Sequence, residues 1–169
     1  GGRLSTLTLP RGRYDYSYHP GSGQLTGITA PDGGGLAFGY AGFLLTTQSW
    51  TGSVAGQVSW SYDNDFRVSA VTVNNNPVSF TYDTDSLLIQ AGALSLSRDP
   101  LNGLLTGTTL GTITTTHAHN LFGERQEEAA FAGAAALVQV SYQRDALGRI
   151  TRKTETLGGQ TDVFDYHYD

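Results

Sequence analysis

The chain has 169 residues, of which 15% are charged, against roughly 25% in an average soluble domain. Ten basic residues face fifteen acidic ones for a net charge of -5, so nothing in the charge balance draws it to nucleic acid or to an anionic membrane. Cysteine and methionine are both absent. The first absence excludes disulfides, thiolate catalysis and Cys-ligated metals, and a chain without Met at position 1 is expected to be a segment of a longer one.

In chain order, the first predicted strand face is Tyr14, Tyr16, Tyr18. The same three-beat face returns as Leu36, Phe38, Tyr40, as Val58, Trp60, Tyr62 and as Val78, Phe80, Tyr82. Weaker copies follow at Leu94, Leu96, Arg98, at Thr115, His117, His119 and at Val140, Tyr142, Arg144, before Phe164, Tyr166, Tyr168 closes the series. A period of two is the period of a strand whose alternate side chains share a face. With the last residue of each triplet as an anchor, the repeat length is 16–25 residues, enough for two strands and two turns.

Asp follows the anchor at positions 63, 83, 99, 145 and 169, and Asn at 120. Such a side chain can accept backbone N–H groups of the next turn. Gly103, Gly123 and Gly148 suit a positive φ at the end of that turn. Further turns are marked by Pro31-Asp32-Gly33-Gly34-Gly35, Asn74-Asn75-Asn76-Pro77 and Leu157-Gly158-Gly159-Gln160. The expectation is an all-β chain, a single array over residues 1–169 of about seven antiparallel hairpins, with no linker. Glu124 to Leu137 is rich in helix formers, but the register that continues through Val138, Val140 and Tyr142 predicts strand–turn–strand there.

The pattern of Tyr-Asp, a short loop, Gly and then an apolar residue resembles the YD repeat. It is tightest at Arg144 to Lys153, Tyr62 to Val68 and Tyr82 to Leu88. It is looser at Tyr18 to Leu25, where the loop gains a residue, and Ala41 stands where Asp is expected after Tyr40. The whole chain is similar to the Rhs/YD-repeat proteins, which include bacterial Rhs toxins, toxin-complex C components and teneurins. That resemblance implies a long sheet strip, curved and spiralling into the wall of a hollow shell. In the bacterial members the shell encloses a C-terminal toxin, and the resemblance implies a secreted or cell-surface location.

Family shells also carry an aspartic autoprotease built on DPxG-type motifs. The near match here is Asp99-Pro100-Leu101-Asn102-Gly103-Leu104, with one residue too many and no second copy, so Asp99 reads as a turn residue rather than half of a carboxylate pair. His117 and His119 share a strand face and could begin a metal site, but no third ligand follows at a recognisable spacing. They read as packing residues. Trp50 falls outside the triplets and is the candidate for an exposed contact to a glycan or protein. Gly21-Ser22-Gly23 and Asp32-Gly33-Gly34-Gly35 lack the Lys-Ser/Thr of a P-loop, and neither a G-x-S-x-G elbow nor an N-glycosylation sequon is present.

The sequence therefore points to a structural shell segment, without catalytic, cofactor or metal residues. The alternatives are a carbohydrate- or protein-binding surface and a self-cleaving segment. The expected partners are neighbouring repeats or copies of itself, as a two-fold homodimer or a fibre, and an enclosed toxin in the parent. No apolar run is long enough for a membrane span.

Overall fold

A computed structural model describes residues 2–169. It contains sixteen strands and, among the described residues, no helix. They are β1 Thr6–Leu9, β2 Gly12–Tyr18, β3 Leu25–Thr29, β4 Gly35–Ala41, β5 Leu44–Thr51, β6 Gly56–Tyr62, β7 Val68–Val73 and β8 Asn76–Tyr82. The rest are β9 Leu88–Ala91, β10 Leu94–Arg98, β11 Leu105–Leu110, β12 Ile113–His119, β13 Arg125–Ala132, β14 Ala135–Arg144, β15 Ile150–Leu157 and β16 Gln160–Asp165. Each strand pairs antiparallel with its neighbour in sequence, and no pairing closes β16 onto β1. By contact the chain divides into two compact units, the first ending at Ser79 and the second running from Phe80 to Asp169. Residues 76–79 of β8 pair with β7, and residues 80–82 pair with β9.

The alternating triplets lie in strands as expected, up to the last. β2, β6, β8, β10, β12 and β14 end on their anchors, and β4 ends one residue past Tyr40. β16 stops at Asp165, so Tyr166 and Tyr168 lie beyond the strand, although the Tyr166 amide still donates to the Thr151 carbonyl at 2.9 Å. The helix-prone segment forms β13, a Gly133-Ala134 turn and the start of β14. β13 has a ladder on both sides, and those non-local bonds outweigh the modest helix propensity of Ala, Glu and Gln.

The turns after the anchors share one chemistry. Asp63 Oδ1 accepts the amides of Asp65 and Arg67, both at 2.9 Å. Asp83 does the same for Asp85 and Leu87, Asn120 for Phe122 and Glu124, and Asp145 for Leu147 and Arg149, all within 2.9–3.0 Å. The fourth residue of each turn has positive φ: 62° at Phe66, 64° at Ser86, 79° at Gly123 and 80° at Gly148. The longer loops 19–24 and 99–104 keep the plan with one residue more, closing through the amides of His19 and Asp99 to the carbonyls of Gln24 and Leu104. Ala41 has no side-chain acceptor to offer, and its turn shrinks to the two residues Gly42 and Phe43.

Just before every one of these turns the ladder slips. The shifts fall at Ser17/Tyr18, Gly39/Tyr40, Ser61/Tyr62, Thr81/Tyr82, Ser97/Arg98, Ala118/His119 and Gln143/Arg144. The extra residue sits on the following strand, for example Thr26 opposite Tyr18 and Gln126 opposite His119. A β-bulge of this kind re-aims side chains and increases local twist.

The anchor side chains then bridge repeats. Tyr62 donates its hydroxyl to the Leu45 carbonyl at 2.7 Å, and Tyr168 to Ile150 at 2.7 Å. Arg98 reaches the Leu88 carbonyl at 3.0 Å and Arg144 the Arg125 carbonyl at 3.2 Å. In each case the acceptor is the residue paired with the preceding anchor, as Leu45 is with Tyr40 and Arg125 with His119. Tyr and Arg interchange at this position because both carry a donor on a long, partly apolar stem.

Neither unit has a packed interior. Val140, 8% exposed, is the sole buried hydrophobic side chain among the described residues. The anchor-turn rim carries apolar tips in open solvent, including Phe66, Leu101, Leu121, Phe122 and Leu147.

Candidate functional site

Cross-strand register decides what each unit places on the anchor face. In the first unit the face is a mostly apolar ladder, with Gln48 standing between Phe38 and Val58: Tyr16 opposite Ile28, Ile28 opposite Leu36, Leu36 opposite Trp50, Trp60 opposite Val71 and Val71 opposite Val78. In the second unit the same face turns polar. Thr108 lies opposite Thr115, His117 opposite Glu128, Glu128 opposite Val140, Val140 opposite Glu155 and Tyr142 opposite Lys153.

These side chains form a chain of contacts across β11 to β14, with a separate ion pair beside it on β15. Thr115 Oγ1 lies 2.8 Å from Thr108 Oγ1 and accepts the Thr108 amide at 3.0 Å. His117 Nε2 is 3.4 Å from the same hydroxyl, and its Nδ1 is 2.9 Å from Arg125 Nη1. Arg125 donates to Glu128 at 2.7 Å, and Glu128 also accepts the Tyr142 hydroxyl at 3.4 Å. Lys153 pairs with Glu155 and stands 5.5 Å from the Phe164 ring centroid.

The electrostatics follow from that arrangement. Burial holds the His117 imidazole below its ordinary pKa, and the Arg125 guanidinium beside it adds to the effect against the opposing pull of Glu128. Burial likewise pushes the Tyr142 phenol up, helped by the Glu128 carboxylate. The Glu155 carboxylate raises Lys153 against the opposing effect of burial.

Arg125 donates to Nδ1, which assigns the remaining ring proton of His117 to Nε2. A protonated Nε2 donates to Thr115 and cannot take its proton, so Thr115 is not an activated nucleophile. What the network does is satisfy polar groups on a half-buried surface. A related arrangement lies at the rim, in a cleft of about 640 Å³ bounded by the turns at 120–124 and 145–149. There Arg144 donates to the Gly148 carbonyl at 3.0 Å, while its Nε is buried without a hydrogen-bond partner, 3.7 Å from Glu124 Oε2.

The residues singled out from sequence are dispersed. Asp99 Oδ1 accepts the Leu101 amide at 2.8 Å, the same turn bond that its counterparts make. His117 joins the network and His119 ends β12 opposite Arg125; among the described residues no three His, Asp or Glu side chains gather as a metal site. Trp50 is corrected: it is half-buried on β5, opposite Leu36, and a Cβ on Gly56 would strike its ring. It belongs to the anchor-face ladder because the bulge at Tyr40 shifts the alternation that had seemed to leave it out. Arg125, Glu128, Lys153 and Glu155 were missed for the same reason. The available signal was the run of charge at matching parity on consecutive strands, which becomes readable once a one-residue slip is allowed at every anchor.

The sequence profile of the teneurin YD-shell matches residues 1–169. The chain belongs to the teneurin YD-shell family. No curated protein sequence matches it at a significant level. Among solved structures, this YD shell is similar to the TcdB2-TccC3-Cdc42 crystal structure at 12% identity and a TM-score of 0.66, covering 90% of this chain and 10% of the other. Similarity to the Photorhabdus luminescens Tc holotoxin pore is 12% identity and a TM-score of 0.68, over 90% of this chain and 9% of that one. A third is TcdB2-TccC3 without its hypervariable C-terminal region, at 12% identity and a TM-score of 0.67. At these identities the likeness is one of fold, and the chain spans about a tenth of the length of the structures it matches. The YD-shell family is a structural one, and the sixteen antiparallel strands in an unclosed sheet match its fold.

Proposed function

We propose that this YD-shell segment is part of a containment wall: one continuous repeat array, a piece of a longer secreted or cell-surface chain, without catalytic activity of its own, that helps enclose a C-terminal toxin or other cargo. The observation that carries the reading is the coreless sheet, in which Val140 is the only buried hydrophobic side chain among the described residues. A catalytic or ligand-binding domain of this length ordinarily packs two layers around a core. A wall needs a cooperative hydrogen-bonded sheet instead, and the Asx turns, bulges and anchor bonds supply one. The Tc neighbours support the assignment, since one is described as lacking a hypervariable C-terminal region and another as a holotoxin pore.

Containment is tested in the longer chain to which we assign residues 1–169. The segment following the repeats should resist added protease until denaturant opens the shell. Digestion at the rate of the isolated segment overturns the reading. A recognition surface is the second reading, favoured by the polar network on the second unit's anchor face. A glycan array with the intact chain and a Lys153→Ala/Glu155→Ala variant tests it: binding by the intact chain that the variant loses would replace the wall as the primary role. Self-cleavage predicts a change of intact mass on incubation that Asp99→Asn abolishes.

A further inference from the structure

The loop 99–104, between β10 and β11, holds the one Asn-Gly pair of the chain, Asn102-Gly103. Every other asparagine precedes Asp, Asn, Pro or Leu. The backbone nitrogen that follows an asparagine can attack that side chain's Cγ, and glycine shields its nitrogen least because it has no Cβ. Asn102 is exposed, and its Oδ1 accepts the Leu104 amide at 2.9 Å. A donor already in place there stabilises the negative charge that develops on this oxygen during attack. The electrophile is therefore primed. The nucleophile is held back. Gly103 N–H donates to the Asp99 carbonyl at 2.8 Å, and the Gly103 carbonyl accepts Arg98 Nη1 at 2.9 Å. Asp99 is fixed in turn, its amide on the Leu104 carbonyl and its Oδ1 on the Leu101 amide. β10 and β11 each have a strand on both sides, so this loop is set within the array and not by a chain end.

We propose that Asn102 is a latched deamidation site, converted to aspartate and isoaspartate when the 99–104 loop opens. In the open loop Gly103 N loses its proton to solvent and bonds to Asn102 Cγ. The Cγ–Nδ2 bond then breaks, the leaving nitrogen takes a proton from water and departs as ammonia, and a five-membered succinimide remains. Water opens that ring at either carbonyl. Opening at Cγ gives aspartate, and opening at the backbone carbonyl gives isoaspartate, whose main chain runs through the side-chain carbon. Isoaspartate lengthens the loop by one methylene, so the bonds of Gly103 to Asp99 and Arg98 cannot re-form as they were. Either product adds a carboxylate beside a cleft of about 510 Å³ that already holds Asp83, Asp85 and Asp99 around Arg98. Each opening that ends in chemistry thus leaves a permanent mark and a weaker β10–β11 hairpin.

The test is peptide mapping by mass spectrometry of the 169-residue chain aged in mildly alkaline buffer, folded and in urea. Conversion at Asn102 should be at least about tenfold slower in the folded chain, as expected where reaction needs a local opening. In urea Asn102 should convert faster than Asn74, Asn75 or Asn120. Arg98→Ala frees the Gly103 carbonyl and should speed conversion in the folded chain about tenfold, with the rate in urea unchanged. Hydrogen exchange across β12 to β15 shows whether that variant stays folded. If it does not, a series of urea concentrations below the unfolding transition decides, where conversion should rise in proportion to exchange of the Gly103 amide. Equal rates in the folded and urea-unfolded chain overturn the proposal. So does a folded Arg98→Ala chain that converts no faster, or conversion that does not follow Gly103 exchange. None of these results bears on the protease test of containment, which can fail or hold independently.

Discussion

The first and second units are built from the same hairpin, the same Asx turn and the same bulge, but they line the anchor face with opposite chemistry. Trp60, Val71 and Val78 stand across from one another in the first, where their contacts are apolar. The corresponding face of the second carries His117, Arg125, Glu128 and Tyr142 in one bonded chain. The comparison teaches that the backbone plan does not depend on an apolar face. Ladder bonds, Asx turns and anchor bridges repeat in both units, so the side chains of the anchor face are free to vary as long as each polar group finds a partner.

Both tryptophans lie in the first unit, so their fluorescence reports on it alone, while hydrogen exchange of β12 to β15 reports on the second. The largest contrast should come from Trp60→Ala. Loss of a half-buried indole from the apolar ladder is expected to cost about 2–3 kcal/mol, seen as an earlier urea midpoint in Trp50 fluorescence. Protection in β12 to β15 should fall much less. Equal losses in both would mean that the units unfold as one.

In the second unit Glu128→Ala should cost about 1 kcal/mol, because Arg125 loses its carboxylate partner. Replacing His117, Arg125 and Glu128 together by Leu should be neutral or stabilising, as it is for other partly buried ionic groups exchanged for packed apolar ones. A triple variant less stable than Glu128→Ala would show that the network does more than satisfy its own members.

The shared turn provides a smaller test. Gly148→Ala should destabilise the second unit by about 1 kcal/mol, since φ is 80° there and a Cβ would meet Glu124 Oε1 at 2.8 Å. Phe66→Gly, at φ 62° with a side chain in solvent, should stabilise the first by about 0.5 kcal/mol. Circular dichroism melts of the two variants check both signs.

The smallest expected effect is on pH. Because the folded state holds the His117 pKa below its ordinary value of about 6.5, the unfolded chain takes up the proton first as pH falls. The contribution of the neutral ring is full above about pH 6.5 and declines below it. Asp63 in the first unit is lowered too: burial works against the shift, and its bonds from Arg67 and Asp65 outweigh burial. That contribution is present above the ordinary carboxylate value and is lost only as pH drops through the lower folded one. Protection in the second unit should therefore begin to fall between about pH 7 and 5, while the Asp63 contribution in the first persists. His117→Gln should remove that slope from the second unit.

How much of this was legible depended on range. The strands at Val58 to Tyr62 and Val78 to Tyr82, the turn acceptors Asp63, Asp83 and Asp145, and the positive φ of Gly103, Gly123 and Gly148 were all readable, because each rests on contacts within about five residues. Trp50 was misplaced and Glu128 overlooked because parity counted along one strand fails across a bulge. The bonds of Tyr62 to Leu45 and Arg144 to Arg125 were equally out of reach, spanning 17 and 19 residues between different hairpins.

The sequence by itself determined a chain of antiparallel hairpins with their turn chemistry and an apolar or aromatic beat on one face, since alternation and Asx turns are local physics. Only the tertiary structure decided which residues face one another. Register across the bulges is set by the ladder as a whole, and a slip of one residue moves every following side chain to the other face. The polar network, the anchor bridges and the place of Trp50 are all consequences of that register.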